Sequence, residues 1–185
     1  MAGELNKQST DHERLSRNAV WGAISTLTLA GATLTTGLMA GVFYAYAVSV
    51  SLGLAAQPDA AYVSTMNAIN ERIQNPLFFA SFLGAVPFLL AALAAQFRGP
   101  RAGRFWLVVL ASVLYLVGGF LLTILVNVPL NNELATVNPD APARVLAEAR
   151  AAYEGPWNFW NGVRAVFSIL AFFALICACL TRRRA

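Results

Sequence analysis

Four stretches of this chain, about residues 20–54, 75–97, 103–127 and 157–181, carry no charged side chain except Arg104 at the start of the third and Arg164 inside the fourth. Apolar runs of 18 or more residues are long enough to cross the ~30 Å hydrocarbon core of a bilayer as helices. No water reaches a free N–H or C=O in that solvent, so a spanning segment must close its own hydrogen bonds, and a helix does so. The expected fold is all-α: an integral membrane four-transmembrane-helix bundle over residues 19–181. A polar tail (1–18) precedes it and a short basic end (182–185) follows. Charged residues make up 12% of the chain, about half the ~25% of a soluble domain.

The basic residues set an expected orientation. Lys7, Arg14 and Arg17 lie in the tail, Arg98, Arg101 and Arg104 around the loop between the second and third spans, and Arg182, Arg183 and Arg184 at the end. These are nine of the 13 Lys and Arg. Short cytoplasmic loops collect Lys and Arg, so both termini are expected in the cytoplasm, in an inner or plasma membrane. The net charge of +4 follows from this asymmetry. It points to membrane lipids as surroundings and not to a nucleic-acid partner.

Taken in order, residues 1–18 read as a mobile polar tail. The first apolar run is too long for a signal-peptide core. At 1.5 Å per residue it exceeds the membrane thickness, so it must tilt, kink or project. Gly37 and Gly41 form a small-xxx-small pair that permits close helix approach. Pro58-Asp59 opens a new element with Asp59 as expected N-cap. There Tyr62, Met66, Ile69 and Ile73 recur at helical spacing opposite Asn67, Asn70, Glu71 and Gln74, which makes a short amphipathic outer helix. Asn75-Pro76 ends it and starts the second span, which Pro87 is expected to kink. In the third span Pro129 is expected to break the helix just after Asn127. A second short amphipathic outer helix, about 141–154, is expected to stop at Gly155-Pro156. Cys177 and Cys179 sit near the inner end of the last span and read as packing residues.

Several chemistries have no residues to carry them. His12 is the one histidine and lies in the tail, and no Asp or Glu lies inside a span. A histidine-ligated metal or haem in the bundle and a carboxylate proton relay are therefore not expected, nor is a phosphate loop or a nucleophile elbow. What remains is a polar set at the outer ends of the helices: Asn67, Asn70, Glu71 and Asn75; Asn127, Asn131, Asn132 and Glu133; Trp157, Asn161 and Arg164. Buried amides need partners. They either bond to one another and cap bent helices, or face a ligand. An ionisable residue inside a span points to function, although Arg164, two turns in, has the length to snorkel to the surface. Trp21 and Trp106 at one interface and Trp160 at the other fit an aromatic belt.

Four segments together resemble a known family: Gly37-Leu-Met-Ala-Gly41-Val-Phe-Tyr-Ala-Tyr46, Met66-Asn-Ala-Ile-Asn70, Asn127-Val-Pro-Leu-Asn131 and Trp157-Asn-Phe-Trp-Asn161-Gly-Val-Arg164. Over about residues 30–175 the chain resembles the anthrone oxygenase-like membrane family, much of which is known only as a domain of unknown function. One departure is Ser49-Val-Ser-Leu-Gly53, where a proline is expected. The resemblance implies a four-helix membrane protein. In some fungal members it implies oxidation of an anthrone to an anthraquinone by oxygen, without metal, flavin or other cofactor. It then implies Glu71 or Glu133 as base, Arg164 with Asn127 and Asn161 as the cradle of an oxyanion, and Asn67, Asn70, Asn131 and Trp157 as contacts to a small aromatic ligand. The alternative is a non-catalytic membrane protein that binds a lipid, a partner subunit or a second copy of itself through the Gly37/Gly41 face.

Overall fold

A computed structural model describes residues 2–97 and 103–181, with side chains from residue 14 onward. Arg98 and Arg101 of the expected basic loop, and the basic end from residue 182, lie outside the described residues. The described chain is helical without a strand, and four of its helical stretches are long and apolar enough to cross a membrane. Leu34, Leu38, Leu110, Val117, Leu125, Val166, Leu170 and Phe173 stand exposed on the bundle exterior. Apolar surface of that extent marks a lipid-facing wall.

Helix α1 (Ala2–Ala45) runs through a π-helical turn at Tyr46–Val50 into α2 (Ser51–Ala55). The backbone of residues 2–18, the polar tail of the sequence, forms the first turns of α1. The overlong first span projects: its far end, at Leu54, joins a second core beyond the first. The first core holds Leu29, Met39, Phe43, Phe82, Leu89, Val108, Tyr115 and Leu175 along the bundle axis. The second holds Leu54, Tyr62, Val63, Met66, Leu134, Leu146, Tyr153 and Trp157, and caps one end.

The cap is built by α3 (Asp59–Arg72), α7 (Val128–Ala135) and the first turns of α8 (Ala143–Leu180). Asp59 does not cap α3. Pro58 holds the N-cap position, and the Asp59 carboxylate accepts from Arg150 at 2.9 Å. Arg150 also donates to the carbonyls of Ala55 and Gln57, both at 2.8 Å, and to Glu154 at 2.7 Å. Its guanidinium lies 4.6 Å from the centre of the Tyr62 ring. One side chain therefore ties the end of α2, the start of α3 and α8 together.

The second span begins as expected. Asn75 caps α4 (Pro76–Phe82), its side-chain oxygen accepting from the N–H groups of Leu77 and Phe78 at 3.1 Å. Pro87 has no N–H to offer Leu83, and the helix is interrupted between α4 and α5 (Ala85–Phe97). The Val86 N–H turns to the Leu83 carbonyl at 3.2 Å. The fully buried Tyr115 hydroxyl donates to the Phe82 carbonyl at 3.0 Å.

Two expected stops do not occur. The third span, α6 (Gly103–Val113), continues through π-helical turns at Leu114–Leu121 and Thr123–Asn127 and on into α7. The wider register closes when the Val128 N–H bonds to the Thr123 carbonyl. The missing N–H of Pro129 then falls in the first turn of α7, where none is needed. Likewise α8 is one helix with Pro156 inside it. Pro156 removes the partner of the Ala152 carbonyl, and both residues lie on the exposed face, so no core hydrogen bond is lost. Glycines bring α8 close to its neighbours: a Cβ on Gly37 would lie 2.7 Å from the Phe172 ring, and one on Gly118 would collide with Phe167.

Candidate functional site

Three helix faces converge where the two cores meet. Residues four apart share a helix face, and Thr123, Asn127 and Asn131 recur at that interval along the third span and α7. On α8 the matching face carries Tyr153, Trp157, Asn161 and Arg164. Phe43 and Tyr46, at the turn from α1 into its π-helical extension, complete the junction. The helices line a half-open cavity of about 720 Å³, within the ~300–1,000 Å³ range of small-molecule sites. The spans contribute Phe43, Phe78, Phe82, Thr123, Asn161 and Arg164 to its lining, and the cap contributes Asn67, Asn70, Glu71, Asn131 and Asn132. π-Helical turns are concentrated at functional sites, and two of them, at Tyr46–Val50 and Thr123–Asn127, supply lining residues here.

Arg164 is the centre of the arrangement. It is 4% exposed, so it does not snorkel to a surface. Its two terminal nitrogens donate to the Thr123 hydroxyl at 3.1 Å and the Asn161 side-chain oxygen at 3.0 Å. Asn161 is held in turn by donating its amide to the Phe43 carbonyl at 3.1 Å. The guanidinium carbon lies 4.5 Å from the centre of the Phe43 ring and 5.4 Å from that of Trp157. Aromatic faces attract a cation but do not neutralise it. Among the described residues the ion pairs are Arg144–Glu148, Arg150–Asp59 and Arg150–Glu154; Arg164 has no carboxylate partner. Taking a charge out of water costs several kcal/mol unless it is compensated.

Trp157 is fixed from the other side. Its indole N–H and the Tyr153 hydroxyl both donate to the Asn131 side-chain oxygen at 2.8 Å, and its ring packs 5.3 Å from Tyr46. Unlike Trp21, Trp106 and Trp160, it is buried, so the interfacial belt does not include it. Three polar atoms on cavity-lining residues are buried without a hydrogen-bond partner: Arg164 Nε, Asn127 Oδ1 and Asn67 Oδ1. Their other groups are engaged, the Asn127 amide with the Trp157 carbonyl at 3.4 Å and the Asn67 amide with the Leu134 carbonyl at 3.3 Å. The protein itself satisfies none of these three buried groups. Among the described residues no group of three or more His, Cys, Asp or Glu side chains is placed to hold a metal ion.

Of the residues expected from sequence, Asn75 caps α4, and Asn67, Asn70, Glu71, Asn127, Asn131, Asn132, Trp157, Asn161 and Arg164 all line this cavity. Glu133 does not. It is exposed on α7, two residues past Asn131, and residues two apart on a helix do not share a face. The sequence reading passed over Thr123, Phe78 and Phe82 and met Phe43 and Tyr46 only as part of the Gly37–Tyr46 segment. The four-residue interval from Thr123 to Asn127 was the available signal for Thr123. The aromatic walls lacked one, because a Phe facing a cavity and a Phe facing a core look alike in sequence.

Compared with known proteins, the chain matches the sequence model of the anthrone oxygenase family over residues 75–174, more than half its length. That stretch runs from the cap of α4 well into α8. It contains Phe78, Thr123, Asn127, Asn131, Trp157, Asn161 and Arg164, and stops short of the walls contributed by α1 and α3. No curated protein and no solved structure matches the chain.

Proposed function

The chain belongs to the anthrone oxygenase family, and from that premise we propose that its cavity binds a flat aromatic ketone of the anthrone type and promotes its oxidation by molecular oxygen. The single observation that carries this reading is Arg164, a buried cation without a counter-ion, set in an aromatic and amide-lined cavity of ligand size. An anthrone has a carbonyl and a methylene on opposite sides of its central ring. Removing a methylene proton sends the electron pair onto the carbonyl oxygen. Arg164, oriented by Asn161 and Thr123, is positioned to stabilise that oxyanion, and Phe43, Phe78, Phe79 and Trp157 line the space the rings take. Glu71, the carboxylate that lines the cavity, is the base in this scheme.

The resulting carbanion adds oxygen at the former methylene carbon, and a proton returns to give a hydroperoxide. Loss of the second hydrogen from that carbon, with cleavage of the O–O bond, forms the new carbonyl and releases water. One oxygen atom enters the quinone and the other leaves as water, so no further reductant is needed. The arginine asymmetry supports placing the capped end, and with it the cavity, on the outer side of an inner or plasma membrane, with both termini inside.

The test is oxygen uptake and quinone absorbance by purified protein in nanodiscs with an anthrone. Uptake above the spontaneous rate should fall ~10²-fold or more in Arg164→Ala, the size of effect seen when an oxyanion donor is lost. Arg164→Lys should fail nearly as badly, because an ammonium lacks the planar fork. Wild-type rates in the lysine variant would sink the oxyanion role. Ligand-induced thermal stabilisation without any uptake would leave a binding protein, the non-catalytic alternative.

A further inference from the structure

In the cap, Arg144 pairs with Glu148, and Arg150 with Asp59 and Glu154. Arg164 has no carboxylate partner, and it is buried more deeply than either of them. The structure spends its hydrogen-bonding on orienting this cation, which lines the cavity, and leaves its Nε buried without a partner. Lone buried charges are retained when something from outside completes them. We infer that the ligand itself is the missing counter-ion: the cavity binds its ligand with one acidic O–H already ionised, as a phenolate, before Glu71 or oxygen acts on it.

The surroundings fit a singly charged ligand. The titratable groups that line the cavity are Tyr46 beyond α1, Glu71 on α3 and Arg164 on α8; α4, the third span and α7 contribute Phe, Thr and Asn. Glu71 is exposed, so water screens its repulsion, whereas the Arg164 charge acts through a water-poor interior. The anionic oxygen lies against the guanidinium where Arg164 lines the cavity, while the rest of the ligand meets the aromatic and amide walls. The ligand's acidic O–H bond breaks heterolytically, the proton goes to bulk water, and the electron pair stays on oxygen beside the guanidinium.

This inference rests on the cavity being a ligand site, and its test uses a ligand that cannot undergo the proposed oxidation. para-Nitrophenol has no methylene to oxidise and is yellow only as the anion. An adjacent opposite charge lowers an acid's pKa by ~1–3 units. At a pH about one unit below its solution pKa, free probe is therefore roughly one-tenth ionised, and bound probe should be about half ionised or more. Nanodiscs carrying Arg164→Met, an uncharged side chain of similar reach, correct for partition into lipid and should lose the extra anion band.

A second comparison needs no variant. Benzoate and benzamide are nearly the same shape, and wild-type protein should bind benzoate at least about tenfold more tightly, one pKa unit's worth of preference. Neutral bound para-nitrophenol, an anion band that survives in Arg164→Met, or equal binding of benzoate and benzamide would each overturn the inference. None of these results would touch oxygen uptake with an anthrone, so the two readings fail separately.

Discussion

Tyr115→Phe isolates one hydrogen bond that exists because of one proline. Pro87 lacks the N–H that would bond to Leu83, and its ring crowds that carbonyl. The Val86 N–H shifts to Leu83, which strands the Phe82 carbonyl in the core of the bundle. Tyr115, with no exposed surface, reaches across from the third span to satisfy it at 3.0 Å. Removing the hydroxyl changes the volume little and leaves a buried acceptor unpaired, which costs ~1–3 kcal/mol in water-soluble proteins. Interhelical hydrogen bonds within membranes average ~0.6 and reach ~1.7 kcal/mol. The expected loss is therefore about 1–1.5 kcal/mol, read as reduced resistance to unfolding in sodium dodecyl sulfate with tyrosine-independent detection. The cause is checked by repeating the change in a Pro87→Ala background. There the helix has no reason to break, Val86 is free to bond to Phe82, and the same Tyr115→Phe change should cost less than about 0.5 kcal/mol. Equal losses in the two backgrounds, or no loss in the first, would refute the assignment of Tyr115 as the partner of a proline-freed carbonyl.

Three further outcomes are expected. Arg150→Lys cannot serve two carbonyls and two carboxylates with one planar fork, so the cap should loosen by about 1–3 kcal/mol and limited proteolysis should cut near Gln57 first. Glu71→Gln should slow anthrone-dependent oxygen uptake by ~10²-fold or more, whereas Glu133→Gln, outside the cavity, should leave the rate unchanged; a reversed pattern would move the base to α7. Gly41→Leu enters open space and should alter stability by less than ~0.5 kcal/mol. If the mass of the particle in detergent halves with that variant, the Gly41 face joins two copies of the chain, and an unchanged mass removes that proposal.

Much of this was legible before any coordinates, and the reasons are local. Asn75-Pro76 carries its own cap and N1 proline, and Pro87 its own interruption. The four-residue interval of Trp157 and Asn161, with Arg164 three further on, places these residues on one face whatever else the chain does. The misreadings share a different cause. Whether Pro129 or Pro156 stops a helix depends on where the carbonyl it frees ends up. That was decided by a π-helical register upstream of Pro129 and by the exposed side of α8 at Pro156. Asp59 reads as an N-cap, yet it is the first residue inside α3, and its carboxylate is taken by Arg150, far away in sequence. Glu133 and Asn131 looked equivalent in a polar cluster until helix geometry separated them.

The π-helical turns of the third span also bear on how this chain tolerates changes of length. Each such turn takes up roughly one residue more than an α-helical turn. The segment Leu114–Leu121 is therefore slack. A residue deleted there can be absorbed by tightening the backbone to α-helical bonding, with Thr123 and Asn127 still turned toward Arg164. The same deletion within Gly103–Val113, where no slack exists, swings every later side chain round by ~100° and carries the polar face into the lipid.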